Sequence, residues 1–146
     1  MNISTKGRYG LEAVVDIARH GGSDKKIVAL KSVSERQGVS QNYLQQIITT
    51  LRKAGIVDSV RGSDGGYFLA RPAEEITVGS VLRPLEGTMA PADCVVNNDD
   101  PSCNDDSNCS SCSTRSVWHS MFSTINQVVD NITIADLLKE QESPSG

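Results

Sequence analysis

The spacing of apolar residues changes period at Gly55, and this change restricts the fold more than any other feature of the chain. Before it, Leu44, Ile47, Ile48 and Leu51 recur every three or four residues, as on one buried helical face. Ser40 stands at an N-cap position, so a helix is predicted over Gln41–Ala54, closed by Gly55. After it, Ile56–Val60 reads as a strand, Arg61-Gly62-Ser63-Asp64-Gly65-Gly66 as a turn, and Tyr67–Ala70 as the return strand. Upstream, Leu11, Val14, Val15 and Ala18 predict a helix over Lys6–His20, capped by Thr5 and ended by the Gly-Gly-Ser-Asp run at 21–24. A short helix fits Leu30–Gln37, with Val33 facing inward and Gly38 as its stop. Three helices followed by a β-hairpin is the order of a winged helix-turn-helix, with Gln37-Gly38-Val39-Ser40 as the turn.

The pattern restarts after Pro72. Thr77 caps a predicted helix through Leu85, with Val78, Val81, Leu82 and Leu85 as its stripe. Gly87–Ser113 is a long polar stretch with no period, the kind of loop that usually carries function. From Thr114 to Asn131, Val117, Trp118, Met121, Phe122, Ile125, Val128 and Val129 predict the longest helix, and Ile132 extends its broad adhesive face. Thr133 caps a last helix, Ile134–Glu140, and Gln141–Gly146 is expected to fray. The fold class is therefore mainly α with a small hairpin wing. Residues 1–75 are expected to form a winged helix-turn-helix DNA-binding domain, and 76–146 to hold a sensor loop (88–113) and dimerisation helices.

The overall charge of −4 hides a split. Residues 1–75 carry eleven Lys/Arg against eight Asp/Glu, a net of +3, whereas 76–146 carry three against ten, a net of −7. A basic front half fits a DNA binder, and an acidic back half fits a soluble companion. No apolar run reaches bilayer length, and Met1–Tyr9 leads into no signal-type apolar block, so a cytoplasmic protein without membrane contact is expected.

The second helix of a helix-turn-helix enters the major groove by its N-terminal end. Gln41, Asn42, Gln45 and Gln46 lie there, with amides suited to paired hydrogen bonds on adenine, and Tyr43 is placed to meet a phosphate. Arg61 lies at the wing tip, where it would meet the minor groove or phosphates. Lys6, Arg8, Arg52 and Lys53 are further phosphate candidates. The only histidines are His20 and His119, and no nucleophile–base pair or phosphate loop is found, so no enzymatic activity is expected.

All four cysteines, Cys94, Cys103, Cys109 and Cys112, fall within nineteen residues just before the long helix. Thiolates at this density suit an iron–sulfur cluster, zinc or copper(I). Cys109-Ser-Ser-Cys112 is also a C-x-x-C, a redox-pair spacing. Spacing alone leaves a cluster, a zinc site, a thiol switch and an inert loop all open.

The opening Ile3-Ser4-Thr5-Lys6-Gly7-Arg8-Tyr9-Gly10-Leu11 resembles the start of the IscR/CymR/NsrR family of winged-helix repressors and activators. Ser34-Glu35-Arg36-Gln37-Gly38-Val39-Ser40, Tyr43-Leu44, Leu51-Arg52-Lys53-Ala54-Gly55, the Arg61-Gly62 and Gly65-Gly66-Tyr67 wing, and Asn131-Ile132-Thr133-Ile134-Ala135-Asp136-Leu137 resemble it too. The resemblance covers nearly the whole chain. It implies a homodimer with paired long helices and a near-palindromic double-stranded DNA operator. It also implies a transcriptional repressor gated by an iron–sulfur cluster, [2Fe-2S] or alternatively [4Fe-4S], that senses iron or cluster supply, redox state or nitric oxide.

In IscR-type members the last of three cysteines lies six residues before a tryptophan. Cys112 stands six before Trp118, so the resemblance maps the ligands to Cys94, Cys103 and Cys112 and leaves Cys109 as an extra thiol. The family's histidine three residues after the last cysteine is here Arg115, which cannot ligate iron. Cys109 is the first choice for the fourth ligand, with His119 or a residue from the partner's first helix as the alternatives. IscR-type members also often carry an acidic residue where this chain has Gln45, so operator preference does not transfer. CymR-type members share the front half but lack the cysteine set. They imply the alternative of a cluster-free regulator of cysteine and sulfur metabolism, governed by a protein partner or thiol oxidation.

Overall fold

The computed structural model describes residues 3–21, 26–87, 89 and 114–142. Among these described residues, six helices and one hairpin follow in the expected order: α1 (Thr5–Gly21), α2 (Leu30–Gln37), α3 (Gln41–Lys53), β1 (Val57–Val60), β2 (Gly66–Leu69), α4 (Val78–Glu86), α5 (Arg115–Asn131) and α6 (Ile134–Glu142). The mainly helical winged-helix class read from the sequence is the observed one.

The cap of α1 is one residue earlier than expected. Ser4, not Thr5, accepts the Gly7 N–H at 3.2 Å, and Thr5 is already helical. Ser4 is selected because its backbone N–H (3.0 Å) and hydroxyl both donate to the Glu86 carboxylate at the end of α4. The start of α1 is thereby fastened to the residue from which the cysteine-bearing stretch departs. Gly7 and Gly10 let α4 approach, since a Cβ at Gly7 would strike the Glu86 carboxylate and one at Gly10 a Leu85 methyl.

The turn between α2 and α3 forms as its residues dictate. Gly38 takes the left-handed conformation (φ 69°) and donates to the Ser34 carbonyl at 2.9 Å. The Ser40 hydroxyl accepts the Tyr43 N–H at 3.2 Å. α3 stops at Lys53, one residue short of expectation, with Gly55 (φ 79°) closing it. β1 and β2 pair antiparallel from Val57↔Leu69 to Val60↔Gly66. β1 starts one residue later than expected and β2 is shifted one residue back, to begin at Gly66, although Ala70 still donates to Ile56 at 3.0 Å. Val28 also bridges Tyr67 through two 2.8 Å hydrogen bonds, so β2 is held on both sides near its start, at the turn end of the hairpin. The sequence reading assigned Val28 no element.

Thr77 caps α4 as expected, accepting from Ser80 at 3.1 Å. α6 begins with the expected Thr133 in a reciprocal cap: Asp136 N–H donates to the Thr133 hydroxyl and Thr133 N–H to the Asp136 carboxylate. The Thr133 backbone N–H first, and its hydroxyl second, hold the Asp136 carboxyl below the usual carboxylate range. The segments entering α4 and α6 pair with each other, Val78 to Ile132 and Ile134 to Ile76, each at 2.8 Å.

One core gathers Val14 and Ile17 of α1, Val33 of α2, Leu44, Ile47, Ile48 and Leu51 of α3, and Ile56 and Val57. Val81 and Leu85 of α4 and Ile134 of α6 belong to the same core, so it continues past residue 75. A smaller cluster of Val78, Leu82 and Met89 receives Ile125, Val129 and Ile132 from the α5 side. Arg83 fixes the same contact with a two-pronged bond to Asp130 (2.7 and 2.9 Å) and a third to Asn126 (3.0 Å). That bond holds Asp130 below the usual carboxylate range.

Candidate nucleic-acid interface

Packing Leu44, Ile47, Ile48 and Leu51 inward turns the opposite side of α3 to solvent. Gln41, Asn42, Gln45 and Gln46 are all exposed there, and the first turn carries no acidic side chain. Tyr43 is half-buried and meets Tyr9 of α1 edge-on, with ring centroids 6.2 Å apart. That contact sets the first turns of α1, bearing half-buried Lys6 and exposed Arg8, alongside the leading end of α3. Exposed amide side chains at a helix start, flanked by cations, are suited to phosphate and base edges together.

The hairpin frames the other side. Arg61 is exposed at its tip, followed by Gly62 at φ 118°, a conformation glycine adopts without strain. Arg52 and Lys53 are exposed but stand at the far end of α3, roughly 16 Å along the axis from Gln41. Arg52 Nε lies 3.8 Å from the Asp58 carboxylate of β1, a loose surface pair that leaves its guanidinium available to a phosphate.

Tyr67 takes part in this surface, and the sequence reading gave it no role. Its hydroxyl accepts a 3.0 Å hydrogen bond from Gln45 Nε2, joining wing to recognition helix. The sequence signal was the Gly-Gly-Tyr of the wing, which marks a turn without showing where the phenol reaches.

The proposed ligands Cys94, Cys103, Cys109 and Cys112 lie outside the described residues. Among the described residues no group of three or more His, Cys, Asp or Glu side chains could hold a metal. His119 is exposed and Trp118 half-buried on α5. Val117, Met121 and Val128 are 49%, 40% and 51% exposed on that helix, an open apolar stripe beside the side that packs on α4. Among the described residues no helix is long and apolar enough to cross a membrane.

The chain matches the Rrf2 family, described as an iron-dependent transcriptional regulator, over residues 3–140. The protein rrf2 of Nitratidesulfovibrio vulgaris is 37% identical over 140 residues, spanning 96% of this chain and 89% of that protein. T. potens IscR superposes with a TM-score of 0.73 at 42% identity, spanning 100% of this chain and 94% of that one. CymR, the global cysteine regulator of B. subtilis, superposes with a TM-score of 0.76 at 33% identity, spanning 95% and 97%. This chain accordingly belongs to the Rrf2 family and is a DNA-binding transcriptional regulator of the IscR and CymR type rather than an enzyme.

Proposed function

We propose that the chain is a cytoplasmic, homodimeric, operator-binding repressor whose affinity for DNA is gated by an iron–sulfur cluster. The observation that carries the DNA side is the exposed amide end of α3, framed by Lys6 and Arg8 on one flank and by the Arg61 wing on the other. Gln41, Asn42, Gln45 and Gln46 read base edges. Tyr43, Arg52, Lys53, Lys6, Arg8 and Arg61 set register on the phosphates and minor groove.

The donor chemistry supports the cluster. Four clustered thiolates suit an iron–sulfur centre, and the resemblance to IscR-type members favours Cys94, Cys103 and Cys112 as ligands, with Cys109 as the fourth. A [2Fe-2S] centre is the first choice and [4Fe-4S] the second. When bound, the cluster supplies sensitivity to iron, oxidants or nitric oxide. The chain's own part is mechanical: residues 88–113 join α4 to α5. Glu86 at the loop's root grips Ser4 at the start of α1, and Arg83 grips Asp130 of α5. A change in loop order at that root would bias the placement of both the DNA-facing start of α1 and the dimer helix.

Iron and sulfide analysis of anaerobically purified protein, with each cysteine singly changed to alanine, tests the assignment. Near-complete loss of iron and sulfide for Cys94, Cys103 and Cys112, and a partial or complete loss for Cys109, is expected. Wild-type protein that binds zinc, or no metal, would refute it. The likeness to CymR keeps one competing reading in view, a cluster-free regulator controlled by a partner protein or by Cys109–Cys112 oxidation. DNA affinity that follows thiol state in metal-free buffer would favour that reading.

A further inference from the structure

We infer that Tyr67 is a specificity-determining residue of the DNA interface, acting through Gln45 by fixing which edge of its amide faces the groove. The inference rests on the reading that Gln45 contacts base edges.

Tyr67 is held from several sides. Its backbone pairs with Ser59 across the hairpin. On the other side it exchanges two 2.8 Å hydrogen bonds with Val28. Next to it, Gly66 lies so close to the Val28 carbonyl that no side chain fits there. The ring itself is half-buried against the rim of the main core. Its hydroxyl is therefore a fixed point, 22 residues from Gln45 in sequence and 3.0 Å from its Nε2.

Gln45 is the opposite case, an exposed side chain with three rotatable bonds. A free glutamine amide can turn either its carbonyl or its NH2 toward a base, and so discriminates little. Its NH2 has two N–H donors and its carbonyl two acceptor sites. With one N–H committed to Tyr67, the carbonyl oxygen is the group left fully available. In the major groove an acceptor pairs with the exocyclic amine of cytosine or adenine and meets the carbonyls of guanine and thymine unfavourably. The anchored amide thus acts as an acceptor where a carboxylate would otherwise be needed. The fixed geometry also spares part of the entropy lost when a long side chain is ordered on binding. The same bond makes wing and recognition helix one reading unit.

The test is selection from a randomised double-stranded oligonucleotide pool by full-length wild type, Tyr67→Phe, Gln45→Ala and the double variant, with sequencing of the bound fraction. Phenylalanine keeps the ring and its packing and removes only the hydroxyl. Wild type is expected to favour an amine-bearing base at one position per half-site. In Tyr67→Phe that preference falls roughly 2- to 10-fold, the range for one lost hydrogen bond. Preferences elsewhere stay unchanged, the variant still melts in one cooperative transition lowered by no more than a few degrees, and the double variant matches Gln45→Ala. The inference is overturned if Tyr67→Phe keeps the full preference, loses affinity equally on all sequences, or still acts when Gln45 is alanine. If Gln45→Ala itself leaves every base preference intact, the base-reading role of Gln45 falls, and the role of Tyr67 falls with it. A shift in Gln45→Ala without one in Tyr67→Phe removes Tyr67's role alone.

Discussion

Changing Met121 to aspartate is expected to split the proposed homodimer while leaving the protomer folded. Val117, Met121 and Val128 are each about half exposed, whereas Ile125 and Val129 face the α4 cluster. Full burial of such a side chain contributes about 1.5–3 kcal/mol, so covering the exposed half contributes about 1 kcal/mol. Three residues on each of two protomers then supply about 6 kcal/mol, from which the cost of association is subtracted. Met121→Asp removes about 1 kcal/mol on each side, about 2 kcal/mol for the pair, and adds the desolvation of two carboxylates. The dimer dissociation constant should rise at least about 30-fold. Sedimentation over a concentration series reads this directly, and a melting curve checks that the protomer survives. A dimer of unchanged strength would refute α5 as the pairing surface. Weak dimerisation together with a collapsed melting transition would show instead that Met121 belongs to the protomer's own core.

Other outcomes follow from particular contacts. Ser4→Ala removes the α1 cap and a partner of Glu86, and should cost about 1 kcal/mol, lowering the melting temperature by about 3 °C. No shift would deny the cap its role. Arg52→Ala should weaken binding to all duplexes alike and lower the salt dependence of affinity by about one phosphate contact. A change in base preference would contradict that reading. Because Arg83 holds Asp130 below the usual carboxylate range, the pair stabilises the fold above that range and loses this effect as pH falls through the lowered value. Denaturant titrations should thus show Asp130→Asn less stable than wild type near neutrality, with the gap closing below about pH 4. A gap independent of pH would assign the effect to something other than the ion pair.

The parts of the fold set by local chemistry were legible in the sequence. Gly38, Ser40, Gly55, Thr77 and Thr133 each mark an element end through a conformation or a cap that only a few residue types supply. Contacts between distant segments were not legible. Thr5 and Ser4 are equally good caps by residue type, and Glu86, 82 residues away from Ser4, decides between them. Val28 stood in no recognisable pattern, yet it becomes the third strand-like partner of the wing. Ile134 looked like part of a separate C-terminal unit, but it completes the core beneath α1 and α3. At the interface the exposed amides of α3 followed from helical periodicity alone. Tyr67 did not, because its role depends on where the hairpin folds back. The cysteine-bearing stretch has no periodicity, so its residue types suggest a chemistry and its spacing does not choose among metals.

The central claim is that the cysteine cluster gates the DNA-reading surface. Its most direct test is the affinity of one selected duplex for the same preparation before and after the cluster is removed. Protein purified without oxygen should contain iron and sulfide, absorb in the visible range, and change its affinity at least about 10-fold on removal, the scale of a typical coupling between sites. A colourless protein, or a coloured one whose affinity is the same with and without the cluster, would contradict the account.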